Sequence, residues 1–161
     1  MLKLYKRIDN KLFYWETWEK DSNTGIVHWG KVGEKGETKE VKSTLFSSYR
    51  GKVQKEANAF VQNGYKEFDP DELFTLLIEF SVDGIGTPKD LTKRTRLEER
   101  MDEVLGWVGL GHCDGGSMGS GTMEVCCLVV DFEIAKSAIE KNLAGSDFAY
   151  YKRIYDENNL H

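Results

Sequence analysis

Apolar and polar positions alternate through the first forty residues, and turn residues interrupt them at short intervals. LYKRI (Leu4 to Ile8) stops at Asp9-Asn10, and KLFYWETWEK stops at Asp21-Ser22-Asn23-Thr24-Gly25. IVHWGKV follows, then the turn Gly33-Glu34-Lys35-Gly36 and a fourth stretch, ETKEVKSTLF. Period-two runs bounded by Asp, Asn, Ser and Gly predict four strands joined as hairpins. From Ser48 to Asn63 the period changes. Val53, Ala57, Phe60 and Val61 recur every three to four residues, which predicts a helix, and Gly64 stands where a helix end favours a left-handed residue.

The acidic, proline-bearing FDPDEL (Phe68 to Leu73) separates this half from a second pattern. LFTLLIEFSVDG reads as a buried strand ending at Asp83-Gly84. KDLTKRTRLEERMDEVLGWVG reads as an amphipathic helix with Leu91, Leu97, Met101, Val104 and Leu105 on one side. The glycine-rich stretch from Gly109 to Gly121 leads into a strand from Met123 to Val130, and together they predict a hairpin. DFEIAKSAIEKNLAG places Ile134, Ala138, Ile139 and Leu143 at helical spacing, with Asp131 as N-cap and Gly145 beyond the end. FAYYKRIYDE alternates Phe148, Tyr150, Lys152 and Ile154 against its neighbours and is expected to be a last strand. The order strand, helix, two strands, helix, strand is the split arrangement called ferredoxin-like. The fold class expected is therefore α+β, with domains over 1–68 and 73–161.

Composition sharpens the division. Residues 1–70 hold thirteen Lys and Arg against ten Asp and Glu, whereas 71–161 hold nine against seventeen. Only the first half tolerates a polyanion, and its small excess argues against tight sequence-independent DNA binding by the whole chain. No stretch approaches the roughly 18 to 20 apolar residues of a membrane span, so no membrane partner is expected. The opening MLKLYKRIDNK has no apolar core of a secretory signal. Three cysteines, Cys113, Cys126 and Cys127, are an odd number with two adjacent, which suits a reducing compartment. A cytoplasmic location is the expectation.

The segment Gly25 to Val41, GIVHWGKVGEKGETKEV, carries the most distinctive chemistry. On a strand Trp29 and Lys31 project together while Gly30 leaves the other face bare. An aromatic plate beside a cation can stack on a sugar or base and hold a phosphate. Core or cross-strand packing of Trp29 is the competing account. The pattern around it, from LFYWETW (Leu12 to Trp18) through HWGKVGEKGET to the helix-like KEANAFVQNGYKEF ending in Asn63-Gly64-Tyr65, resembles the WGR domain found in poly(ADP-ribose) polymerases and bacterial regulator-like proteins. The resemblance spans about residues 1–68. It implies a small twisted sheet with one packed helix and, by analogy with the polymerases, a Trp29 that lies against a nucleotide at a DNA break. Here the third motif residue is Lys31 instead of arginine, which keeps the charge and loses the planar five-donor fork. The nucleic-acid-binding residues expected are Trp29, Gly30, Lys31 and Lys35.

In the second half, CDGGSMGSGTM (Cys113 to Met123) lacks the Gly-Lys-Ser/Thr ending of a phosphate-binding P-loop, and Asp114 would repel an anion. Asp114, Gly115, Gly116, Ser117, Gly119, Ser120 and Gly121 form a hairpin or bulge with positive-φ demands, or else a ligand or partner loop. His28, His112 and His161 include no evident base beside a thiol, and no CxxC or HxxxH pair marks a metal site. Neither catalytic residues nor a cofactor is expected. Glu98-Glu99 and Asp102-Glu103 read as a solvated helix face. Tyr150, Tyr151, Arg153 and Tyr155 read as packing tyrosines or, alternatively, as a base-stacking strand. The function expected is a non-enzymatic binding protein that recognises nucleic acid through 1–68 and contacts a protein partner through the acidic 73–161. An immunity-type or regulatory protein with a basic partner is the alternative, and a small-molecule sensor using Gly115 to Gly121 is a third.

Overall fold

The computed structural model describes residues 1–159; His161 lies outside them. The fold is α+β, in two compact units, Met1–Asp69 and Pro70–His161.

The first unit is a four-stranded antiparallel meander of β1 (Leu2–Ile8), β2 (Lys11–Asp21), β3 (Thr24–Lys31) and β4 (Glu37–Lys42), with helix α1 (Tyr49–Gln62). Ile8 pairs with Lys11 across Asp9 and Asn10, both at positive φ, which suits the twist of a two-residue hairpin. Alternation then sorts the side chains. Leu4, Trp15 and Val27 face α1 and meet Tyr49, Val53 and Ala57, with Phe60, Trp29, Val41 and Tyr65 around them. The helix begins where the Ser48 hydroxyl accepts from the Gly51 amide at 3.1 Å. It ends in a Schellman motif: Gly64, at φ +92°, donates to Val61, Tyr65 donates to Phe60, and those two rings meet edge-on at 4.9 Å. The chain then returns along β1, where Tyr5 and Lys66 exchange both backbone hydrogen bonds.

The second unit is ferredoxin-like. After a 3₁₀ turn (Pro70–Glu72) come β5 (Phe74–Ser81), α2 (Pro88–Gly106), β6 (Gly111–Gly119), β7 (Thr122–Val129), α3 (Phe132–Leu143) and β8 (Arg153–Asp156). The sheet order is β6-β7-β5-β8, with every pair antiparallel. α2 starts at a capping box between Thr87 and Asp90 with Pro88 in its first turn, and α3 starts at Asp131, whose carboxylate accepts from Ile134. Leu97, Met101 and Leu105 of α2 and Ala135, Ile139 and Leu143 of α3 are fully buried, as are Leu76, Ile78, Met123, Val125 and Val129 of the sheet. Glu79 is buried too. It is tied to Lys152 at 2.8 Å and Arg153 at 2.6 Å, and these cations hold its carboxyl below the usual range. No helix among the described residues is long and apolar enough to cross a membrane.

Three expectations fail locally. The fourth strand stops at Lys42, because Thr44 and Ser47 close a tight turn that leaves Leu45 and Phe46 at its exposed tip. The last strand covers only Arg153–Asp156 of the FAYYKRIYDE run. Ser146 bonds back to Leu143 and its hydroxyl accepts from the Phe148 amide, which turns the chain and buries Phe148 while Tyr150 stands in solvent. The alternation of Phe148, Tyr150, Lys152 and Ile154 is therefore not a strand periodicity; within the strand the Arg153 guanidinium lies 4.0 Å from the Tyr155 ring centroid. Leu91 is exposed, nearly two turns before α2 meets the core at Leu97.

Candidate nucleic-acid interface

The Trp29 group is built from two faces of β3. Trp29 stands opposite Trp15 on β2 and Glu37 on β4, on the face that α1 covers. Its ring is half-buried at the rim of the core. The Lys39 ammonium lies 5.5 Å from the ring centroid and is held there by Glu56 of α1, 2.7 Å away. The other Glu56 oxygen accepts from Trp15 Nε1 at 3.1 Å. One helix carboxylate thus fixes both the buried indole and the cation over the half-exposed one.

Gly30 is required by the opposite face. It pairs with Tyr14, and the turn after β3 folds back over it, so that a Cβ on Gly30 would stand 2.8 Å from the Gly36 Cα and 3.2 Å from the Tyr14 hydroxyl. Gly36 sits at φ +67°, and a Cβ there would run into the Trp29 carbonyl. What holds the turn down is a buried polar cluster. The Tyr14 hydroxyl lies 3.0 Å from the carbonyls of Glu34 and Lys35. His28, fully buried, places Nε2 2.5 Å from the Lys35 carbonyl and Nδ1 2.7 Å from Glu16 Oε1, and Lys3 closes the chain on Glu16 Oε2 at 3.0 Å. Each ring nitrogen of His28 therefore faces an oxygen acceptor. Burial, followed by the Glu16 charge, pushes the Tyr14 phenol well above its usual range, so it remains a donor.

With its carbonyl drawn inward, Lys35 keeps its side chain exposed. Lys31 is half-exposed and pairs with Glu34 at 2.7 Å. An anion arriving at Lys31 competes with that carboxylate. Trp29, Gly30, Lys31 and Lys35 thus belong to one strand end and its turn, and Lys39 joins them. Alternation already placed Trp29 with Lys31. Lys39 belongs by sequence to the positive surface with Lys31 and Lys35, and Tyr14 to the face opposite Trp15. The roles of Glu16 and His28 are not assigned by the sequence, although the shared parity of Tyr14, Glu16, His28 and Gly30 carries the signal.

We expect Gly30→Val to lift the turn and lower the stability of the first unit by about 1–3 kcal/mol, the usual penalty for overpacking. Urea unfolding of the full chain followed by tryptophan fluorescence reads this, because three of the four tryptophans, Trp15, Trp18 and Trp29, lie in that unit. An unchanged midpoint would contradict the close approach of Gly36.

In the second unit the glycine-rich segment is mostly strand. Asp114 and Gly115 fall at a bulge between Cys113 and Gly116, Gly116 to Gly119 continue the ladder with β7, and Ser120 and Gly121, both at positive φ, make a two-residue turn. Gly116 is closely packed, since a Cβ there would meet the Glu124 carbonyl, whereas nothing crowds Gly115 or Gly119. Ser117 donates to Glu124 at 3.4 Å. Asp102, on the acidic side of α2, accepts from the Cys113 amide at 2.7 Å. The described residues hold no group of three or more His, Cys, Asp and Glu arranged for a metal ion.

Comparison with known protein families, curated proteins and solved structures finds no match to this chain.

Proposed function

We propose that this chain is a non-enzymatic binding protein whose first unit is a WGR-like module for nucleic acid, at DNA ends or breaks, and whose acidic second unit makes protein contacts. The observation that carries the reading is the half-buried Trp29 ring, steadied from one side by Trp15, Glu56 and Lys39 and followed by a pinned turn that displays Lys31 and Lys35. A ring fixed before binding loses little freedom when a sugar or base stacks on it, and adjacent ammonium groups suit the phosphates on either side. Lysine at position 31 supplies a point charge, so the contact it makes is to phosphate and not a bidentate reading of a base edge.

Fluorescence anisotropy with nicked, blunt-ended and single-stranded DNA at two salt concentrations tests this. Binding is expected to favour nicked or ended DNA. Charge reversal of Lys31 and Lys35 together (K31E/K35E) is expected to weaken it and to reduce the slope of log affinity against log salt by roughly two, one for each lost phosphate contact. No binding of any form at low salt, or an unchanged double variant, overturns the proposal. The excess of eight acidic residues in 71–161 favours the alternative in that case, an immunity-type or regulatory protein that binds a basic partner.

A further inference from the structure

The cysteines have no part in the Trp29 group, yet two of them face each other. Cys113 on β6 and Cys127 on β7 are directly opposed in the antiparallel register, so both side chains leave the sheet on one face. Opposed residues in such ladders have Cα atoms about 4.5 or 5.5 Å apart, according to whether the pair exchanges backbone hydrogen bonds. A disulfide accommodates about 4.4–6.8 Å. The Val130 amide donates to the Leu110 carbonyl, so alternation along the ladder makes Cys113 and Cys127 a non-hydrogen-bonded pair. Cβ atoms lie closer in that pair type and come nearest the roughly 3.5–4.5 Å a disulfide needs. Both thiols are free, and the Cys113 thiol donates to the carbonyls of Cys126 at 3.3 Å and Gly115 at 3.7 Å. Cys126, adjacent in sequence, projects from the other face of β7 and pairs with Leu77.

The two sulfurs are not equivalent. Cys127 is fully buried, whereas Cys113 is partly exposed on the outermost strand of the sheet. Donation from the Cys127 thiol holds the Cys113 thiol below its ordinary range, against the opposing carboxylates of Asp102 and Glu98 on α2. The same bond, followed by burial, pushes Cys127 up. Burial also pushes Cys126 up, to about 11. The accessible member of the pair is thus the one stabilised as thiolate, the nucleophilic form.

We propose that Cys113 and Cys127 form a redox-reactive dithiol that closes to a cross-strand disulfide, with Cys113 as the attacking sulfur and Cys127 as the resolving one. The oxidant is a hydroperoxide. The Cys113 thiolate attacks one peroxide oxygen, the O–O bond breaks, and the departing oxygen takes up a proton, leaving Cys113 as a sulfenic acid. The Cys127 sulfur then attacks the Cys113 sulfur. The S–S bond forms, the S–O bond breaks, and hydroxide leaves as water with the Cys127 proton. With hydrogen peroxide the balance is two thiols and one peroxide giving one disulfide and two waters, two electrons passing from sulfur to oxygen. A dithiol reductant reverses it by exchange. The bond would staple β6 to β7 beside the bulge at Asp114 and Gly115, where the ladder is interrupted.

The test treats the full chain with one equivalent of hydrogen peroxide, blocks remaining thiols with iodoacetamide after unfolding, and digests without reduction for mass spectrometry. The expected product is monomeric, lighter by two hydrogens, with Cys113 joined to the Cys126-Cys127 peptide, and dithiothreitol restores the thiols. Cys126→Ala keeps the link. Cys127→Ala abolishes it and leaves a Cys113 sulfenic acid that dimedone traps. Before oxidation, iodoacetamide at neutral pH modifies Cys113 about tenfold faster than Cys126. Three alkylated cysteines after peroxide, a link lost in Cys126→Ala, a link formed only between chains, or equal alkylation rates would overturn the proposal. The wild-type and Cys126→Ala results decide it even if Cys127→Ala does not fold.

Discussion

Replacing Trp15 by alanine is expected to destabilise the first unit by about 3–5 kcal/mol, the range for truncating a fully buried tryptophan. The indole is completely inaccessible, stacks on Phe60 at 5.4 Å with the planes 30° apart, and donates to Glu56. Its removal empties the space between β2 and α1 and frees the carboxylate that positions Lys39 over Trp29. Domains are stable by roughly 0.05–0.15 kcal/mol per residue, so a unit spanning Met1–Asp69 has about 3–10 kcal/mol to lose. Urea or thermal unfolding by circular dichroism should show the transition of the first unit moved far below that of wild type. Trp15→Phe keeps much of the apolar contact and should fall between. A loss below about 1 kcal/mol for Trp15→Ala would mean that α1 does not depend on this ring.

Glu16→Ala is expected to cost about 3 kcal/mol, because it leaves the buried His28 Nδ1 and the Lys3 ammonium without their shared acceptor, and each lost partner of a buried polar group costs about 1–3 kcal/mol. Glu16 is 4% exposed and His28 is not exposed at all. Without the carboxylate, His28 Nδ1 and Lys3 both lose their acceptor, and the Lys35 carbonyl loses the orientation of the imidazole beneath it. Glu16→Gln retains an oxygen for Nδ1 while removing the charge, so its loss should be smaller. Denaturant midpoints of the two variants separate these effects. Because the turn at residues 33–36 rests on the same cluster, Glu16→Ala should also weaken any DNA binding more than its distance from solvent suggests. Equal midpoints for wild type and Glu16→Ala would remove the cluster from the account of the turn.

How much of this was readable beforehand differs between the fold and the site. Helix α1 was legible because two local signals agree, the spacing of Val53, Ala57 and Phe60 and Gly64 at the end, and the structure adds a third in the Ser48 cap. Local agreement of that kind survives folding. The ferredoxin-like order was legible because its strands and helices differ in period. The FAYYKRIYDE run was not, since its apparent alternation comes from a Phe148 that turns in against Arg96 and Arg100 of α2, at 5.6 and 5.5 Å from the ring centroid, and a Tyr150 that turns out. At the candidate site, alternation along β3 places Trp29 beside Lys31. Joining Glu16 to His28 or Tyr14 to Gly30 needs the β2–β3 register, which is set by a turn and by the bulge between Glu19 and Asp21. Side chains that act across strands depend on pairing, and pairing is not a local property of sequence.

The return of the chain past β1 has a consequence for how the first unit lives among its own copies. β1 is an outer strand, and an outer strand with vacant amides is a template on which a second chain can add. Tyr5 and Lys66 satisfy each other midway along that border, and Phe68 sets its ring against Tyr5 at 5.4 Å. Residues 65–68 thus act as a selvedge. A fragment cut just behind Gly64 would lose Tyr65 from the rim of the core together with this border, and leave the β1 edge open for a second copy to pair with.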